Sequence, residues 1–248
     1  VAVVAADVTD PGGLAAAIGL RNAGCAVTLF ERVTQLREVG AGLSLWANAV
    51  KALKALGLAD LLNAISIPEV QGSLRAWNGA VLTTTSTQEL RQALGEPNLI
   101  FHRAELHAAL LQALPGEAVH FGKPCTSFQQ DAAGVTAYFA DGDQVRGDIL
   151  VGADGLHSVA RAQLHGAQKP TYVGFSAWRS IIPFAPKRLL PGETWGAGAL
   201  SFFSGLLRHP DKPAAATSTS DAGPKIFPLS MISSPYDSAN SPVKCSTY

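Results

Sequence analysis

The chain has no excess of either charge: across 248 residues Lys plus Arg number 19 and Asp plus Glu number 19, and charged side chains make up only 15%. Basic residues never cluster beyond a pair, which argues against nucleic acid or an anionic membrane as the main partner. Cysteine is scarce too. Cys25, Cys125 and Cys245 lie far apart, odd in number and without a Cys-x-x-Cys pair, so neither a disulfide framework nor a zinc site is expected, and a cytoplasmic setting is. The sequence has no run of 18 apolar residues, so no transmembrane segment is expected. It opens on Val-Ala-Val-Val with no basic stretch ahead of a cleavable apolar one, so no secretory signal is expected either.

What is present suits a large core, since 47% of the residues are hydrophobic. Val1 to Ala6 is a β-branched, continuously apolar run of the kind that forms a strand covered on both faces. Asp10-Pro11 then signals a helix start, Leu14, Ala17 and Ile18 recur at helical spacing, and Ala23-Gly24 supplies a stop. Cys25 to Phe30 reads as a second strand ending on Glu31-Arg32, which completes a βαβ unit with parallel strands and a right-handed crossover. Val50, Leu53 and Leu56 mark one further helix before Gly57, and Leu106, Ala109, Leu110 and Ala113 mark another before Pro115-Gly116. Val135 to Ala140 and Gln144 to Arg146 flank Asp141-Gly142 and predict a hairpin. Ile149 to Val151 predicts a buried strand that runs into Gly152-Ala153-Asp154-Gly155. Ser73 to Thr84 and Tyr172 to Pro183 predict strands of a second sheet, with Trp77, Trp178 and Trp195 as packing residues.

Dinucleotide-binding units need a glycine-rich turn after the first strand, so that the backbone can approach a pyrophosphate, and an acid about twenty residues on to accept from ribose hydroxyls. Glu31 lies 18 residues after Gly13 and suits that role, with a surface acid at a strand end as the competing reading. The turn from Ala5 to Gly13 holds no Gly-x-Gly-x-x-Gly, and Asp7 and Asp10 add negative charge where a pyrophosphate would lie. His102 and His107 are five residues apart, about 140° around a helix, so they do not share a ligand face and read as solvated or capping side chains. Ser44 and Ser204 lack the frame of a nucleophile elbow.

Several segments together resemble the N-terminal half of the FAD-dependent aromatic-ring hydroxylases, the flavoprotein monooxygenases of the salicylate hydroxylase and zeaxanthin epoxidase kind. They are Gly12-Gly13-Leu14-Ala15-Ala16-Ala17, Phe30-Glu31-Arg32, Arg37 to Leu43, Trp46 to Ala49, His102 to Leu106, Gly147 to Ser158 and Ala177-Trp178-Arg179. The resemblance implies a Rossmann-like α/β fold with FAD as cofactor and NADH or NADPH as reductant. It implies transfer of one oxygen atom to an aromatic or olefinic small molecule. Gly12 and Gly13 would bring the first helix to the pyrophosphate, Glu31 would accept from the adenosine ribose beside Arg32, and Gly42 would admit the flavin. Arg103 would contact the cofactor through its fixed fork of donors, and Asp154-Gly155 would lie near the pyrophosphate, with a plain strand-end turn as the alternative for that pair. No side chain is assigned as a catalytic acid or base.

Two departures from the family pattern stand out. The loop before Leu14 is longer and more acidic than the family's, and the second flavin motif, a Gly-Asp segment followed by Ala-Ala-His, is missing. The expected organisation is a discontinuous FAD-binding domain at residues 1–70 and 99–165 and a partial, mixed substrate sheet at 71–98 and 166–208. The tail, 209–248, contains eight Ser and six Pro and is expected to be disordered. The pattern reads as a truncated monooxygenase with weakened or lost activity; the competing reading is a non-catalytic remnant that acts as a binding module or has no function.

Overall fold

A computed structural model describes residues 2–6, 11–35, 42–68, 71–172, 176–178, 192–196, 199–203 and 229–233. The first elements in chain order are β1 (Ala2–Ala6), α1 (Pro11–Asn22), β2 (Val27–Glu31), β3 (Gly42–Leu45), α2 (Ala47–Ala55) and α3 (Ala59–Ile65). There follow β4 (Ile67–Pro68), β5 (Gln71–Ala76), β6 (Val81–Ser86), α4 (Thr87–Leu94), β7 (Leu99–His102) and α5 (Arg103–Gln112). A single 3-10 turn leads into β8 (Val119–His120), β9 (Cys125–Asp131), β10 (Gly134–Phe139), β11 (Gln144–Gly147), β12 (Ile149–Ala153) and α6 (Val159–His165). The last described strands are β13 (Ser176–Trp178), β14 (Gly192–Gly196), β15 (Ala199–Phe203) and β16 (Leu229–Ser233). The chain divides into two compact units, residues 1–40, 48–66 and 101–170 in the first and 41–47, 67–100 and 171–248 in the second.

The first unit is built on a parallel sheet in the order β12-β1-β2-β8. The apolar run at the start of the chain takes an interior position in this sheet, as a strand without polar alternation should. From there α1 crosses to β2 and lays its buried stripe, Leu14, Ala17 and Ile18, towards β1, β2, β12 and α5. Burial of Leu14 and of Ile18 contributes roughly 1.5–3 kcal/mol each. The helix stops where Gly24 adopts φ +86°, a left-handed conformation that glycine takes without a Cβ clash. On the other face of the sheet lies the antiparallel meander β9-β10-β11. Phe30 reaches across to it, with its ring 4.5 Å from that of Phe139 and Ala137 buried alongside. The predicted hairpin forms around Asp141-Gly142, with Phe139 N–H donating to the Asp143 carbonyl at 3.0 Å.

The second unit carries a six-stranded mixed sheet in the order β13-β16-β15-β14-β5-β6 and a small sheet in the order β3-β7-β4. The segment read as Ser73 to Thr84 forms two strands, β5 and β6, which pair antiparallel, and β14 joins β5 in parallel. Five residues of the Ser/Pro-rich segment expected to be disordered, Leu229–Ser233, form β16 between β13 and β15. Leu229, Met231 and Ile232 bring three apolar side chains into five residues of that segment, which suits a strand; the rest of the tail lies outside the described residues. Two further expectations are corrected here. Trp77 is 77% exposed because it sits in the turn after β5, and Trp195 is 51% exposed with its indole N–H donating to Glu193. The Trp178 side chain lies outside the described residues.

Candidate functional site

Strand register builds the site. Ala6 pairs with Ala153 on one side and with Glu31 on the other, so the three form one row at the carboxyl edge of the parallel sheet. Open α/β sheets place their ligands outside this edge. Glu31 is fully buried, which rules out the surface-acid reading. Its Oε1 accepts from the Val33 N–H at 2.8 Å, and its backbone carbonyl accepts from the Lys123 N–H at 2.8 Å. Strand alternation puts Leu29 and Glu31 on one face and Phe30 on the other. Arg32 follows directly and is exposed.

The first turn of α1 begins at Pro11, with Gly12 exposed and Gly13 buried. Neither residue carries a Cβ, so the backbone of that turn presents no side chain to an approaching anion. Asp7 to Asp10 lie outside the described residues, so the acidic loop has no structural account. Arg103 is the first residue of α5 and half-buried. Gly42 opens β3 in the second unit, and the Arg37 to Ala41 stretch before it lies outside the described residues, as does Arg179.

Asp154 follows β12 and does two things. Its Oδ2 accepts from the Val159 N–H at 2.6 Å and the Ala160 N–H at 3.2 Å, holding the start of α6, where Ser158 also accepts from the Arg161 N–H at 2.9 Å. Its Oδ1 is buried and has no hydrogen-bond partner among the described residues. Gly155 adopts φ +74°, the conformation of a glycine turn, which fits the turn reading of Asp154-Gly155. Gly152 is required just before: a Cβ there would lie 2.5 Å from the Ala160 Cβ.

A hollow beside this edge is lined by Phe30, Arg32, Lys123, Cys125, Asp154 and His157, among others. Sequence reasoning gave no site role to Lys123, Cys125 or His157: the stretch with Lys123 and Cys125 carries no motif, and His157, although inside the Gly147 to Ser158 segment, meets them only when distant segments pack. Burial pushes the Cys125 thiol up, which leaves it a poor nucleophile. His107 corrects another expectation: it is buried on the inner face of α5 instead of solvated. His102 stands at the N-cap of that helix without a side-chain capping bond.

Residues 8–186 match a family described as an FAD binding domain. The chain belongs to this family. An FAD-dependent urate hydroxylase of Klebsiella pneumoniae is 33% identical over 186 residues, which is 74% of this chain and 48% of that protein. A 3-amino-4-hydroxybenzoate 2-monooxygenase of Streptomyces cremeus is 36% identical over 185 residues, 74% of this chain and 46% of that protein. The solved structure of Klebsiella pneumoniae HpxO complexed with FAD and uric acid superposes with a TM-score of 0.79 at 26% identity, covering 96% of this chain and 58% of that one. The chain thus spans about half the length of the curated relatives it matches. Among the described residues, no helix is long and apolar enough to cross a membrane.

The residues of this FAD-binding family member suit the adenosine and pyrophosphate half of the cofactor. Glu31 is a buried carboxylate at the carboxyl edge of the sheet, Gly12 and Gly13 lie in the first turn of α1, and Asp154 Oδ1 is a buried acceptor with no partner among the described residues, a set of groups that ribose hydroxyls and a pyrophosphate would fit.

Proposed function

We propose that this chain binds FAD and is the cofactor-holding part of an NADH- or NADPH-dependent hydroxylase of a small aromatic molecule in the cytoplasm. The observation that carries the reading is the row Ala153, Ala6, Glu31, which ends in a fully buried carboxylate at the carboxyl edge of a parallel sheet. Family membership and the urate hydroxylase and 3-amino-4-hydroxybenzoate 2-monooxygenase relatives support the aromatic substrate class.

Bound FAD would supply the redox and oxygen chemistry, and the protein would supply binding, orientation and a dry setting. Glu31 would accept from the ribose hydroxyls, its Oε1 already oriented by the Val33 N–H. Gly12 and Gly13 would let the pyrophosphate approach the amides at the start of α1, where the helix dipole favours negative charge. Arg32 and Arg103 would offer guanidinium donors to phosphate or ribitol oxygens. Asp154 would accept from the ligand through Oδ1 while Oδ2 keeps α6 in place. In this reading residues 1–70 and 99–165 form the FAD-binding part, and 71–98 with 166–208 the substrate-side sheet. Gly42, at the start of β3, would serve the flavin end.

The test is a titration of apo-protein with FAD, followed by flavin fluorescence quenching. A saturable, stoichiometric signal and a yellow protein after desalting are expected. A protein that takes up no FAD would overturn the reading.

A further inference from the structure

We propose that Lys123, held between the Asp141 and Asp143 carboxylates, is a positioning residue for the adenosine end of the cofactor and acts through Glu31; the inference rests on the FAD reading above. β8 pairs only with Leu29 and Phe30, so it stops short of the residue whose carboxylate matters. Beyond that point the chain following β8 takes over. The Lys123 N–H donates to the Glu31 carbonyl at 2.8 Å, and the Gly122 N–H donates to the Val33 carbonyl at 2.9 Å. The Glu31 peptide therefore sits where Lys123 puts it.

Lys123 is itself tied to the β10–β11 turn. Its Nζ donates to both Asp141 Oδ2 and Asp143 Oδ2. The turn is preorganised for this, because the Asp143 N–H donates to Asp141 Oδ1 at 3.1 Å and the Ala140 N–H to the Pro124 carbonyl at 3.0 Å. An exposed ion pair contributes little to folding, but one cation shared by two ordered carboxylates fixes a geometry. The Lys123 side chain is only 23% exposed, and it also lines the hollow with Arg32 and Asp154. Asp141 and Asp143 do not line that hollow, so they would not touch a ligand there, and the loss of their negative charge would by itself favour an anionic ligand; a weaker ADP affinity in the Asn pair therefore reports the loss of their hold on Lys123. Binding sites lose affinity when supporting groups let a contact residue drift by a fraction of an ångström.

The experiment measures ADP and FAD affinity of the full chain by calorimetry, beside the melting temperature of the ligand-free protein. Lys123→Met and the pair Asp141→Asn with Asp143→Asn are each expected to weaken ADP about three- to ten-fold, the size of coupling seen within one hydrogen-bonded network. Lys123→Arg, which can also bridge two carboxylates, is expected to stay within about two-fold of the wild type. Combining Lys123→Met with the Asn pair should bring no further loss. A merely structural role would lower the melting temperature and leave the affinity of the folded protein unchanged. Unchanged ADP affinity in the Asn pair overturns the clamp while the FAD reading stands. A wild-type chain that binds neither FAD nor ADP overturns that reading and the clamp together.

Discussion

Glu31 concentrates the residue-scale argument. It follows Phe30 at the end of a strand, it is fully buried, and its carboxylate is oriented by a backbone amide two residues on. Glu31→Gln keeps the shape and the acceptor oxygen but removes the charge. A hydrogen bond to a charged group is worth about 1.5–3 kcal/mol, so ADP affinity should fall about ten-fold or more, measured by calorimetry with the melting temperature as a control. Gly152 is governed by packing. An added methyl would meet the Ala160 Cβ at 2.5 Å, so Gly152→Ala should cost about 1–3 kcal/mol in chemical denaturation as α6 is pushed from β12. Asp154→Ala removes the carboxylate that receives two α6 amides and should cost about 1 kcal/mol. The Glu31 position was legible from spacing alone; the burial that decides between ribose acceptor and surface acid was not.

Among elements, the β10–β11 turn matters most, because its two aspartates reach back to the loop beneath Glu31. The Lys123 ammonium beside Asp141 holds that carboxyl below the ordinary aspartate range, and Arg146 does the same to Asp131 in the neighbouring β9–β10 turn. A carboxyl with a lowered folded value contributes stability that is complete above the ordinary aspartate pKa and is lost as pH falls through the depressed value. Lys123 is raised by the same pair of carboxylates, so its contribution is complete below the ordinary lysine value and lost as pH climbs through the raised one. The melting temperature should therefore hold a plateau at neutral pH, with an acid limb that Asp141→Asn and Asp131→Asn flatten in a pH series. Asp141-Gly142 is visible in the sequence as a hairpin turn, whereas its link to Lys123 spans 18 residues of chain and appears only in the fold.

At the scale of the whole molecule, ligand binding and surface aromatics give separate readouts. A ligand that binds only the folded state stabilises it by mass action, about 2.7 kcal/mol at a hundred times its Kd, so the melting temperature should rise continuously with FAD concentration. Trp46, Trp77 and Trp195 are 63%, 77% and 51% exposed, so iodide should quench a large share of the tryptophan fluorescence, and Trp77→Phe should reduce the quenchable part. Full protection of the fluorescence from iodide would contradict the turn position of Trp77.

The sequence by itself determined the βαβ opening, the Asp-Gly hairpin, the second sheet and family membership, because apolar period, glycine stops and linear motifs are local properties of the chain. It also placed Glu31 at a strand end. Tertiary structure alone decided that Glu31 is buried, that Asp154 holds α6 with one oxygen and leaves the other without a partner among the described residues, and that Lys123 joins a distant turn to the cofactor edge. It also turned Trp77 and Trp195 outward, buried His107 and drew Leu229–Ser233 into a sheet. Each of these outcomes depends on which distant segments meet, and burial and hydrogen-bond partners exist only once those segments are packed.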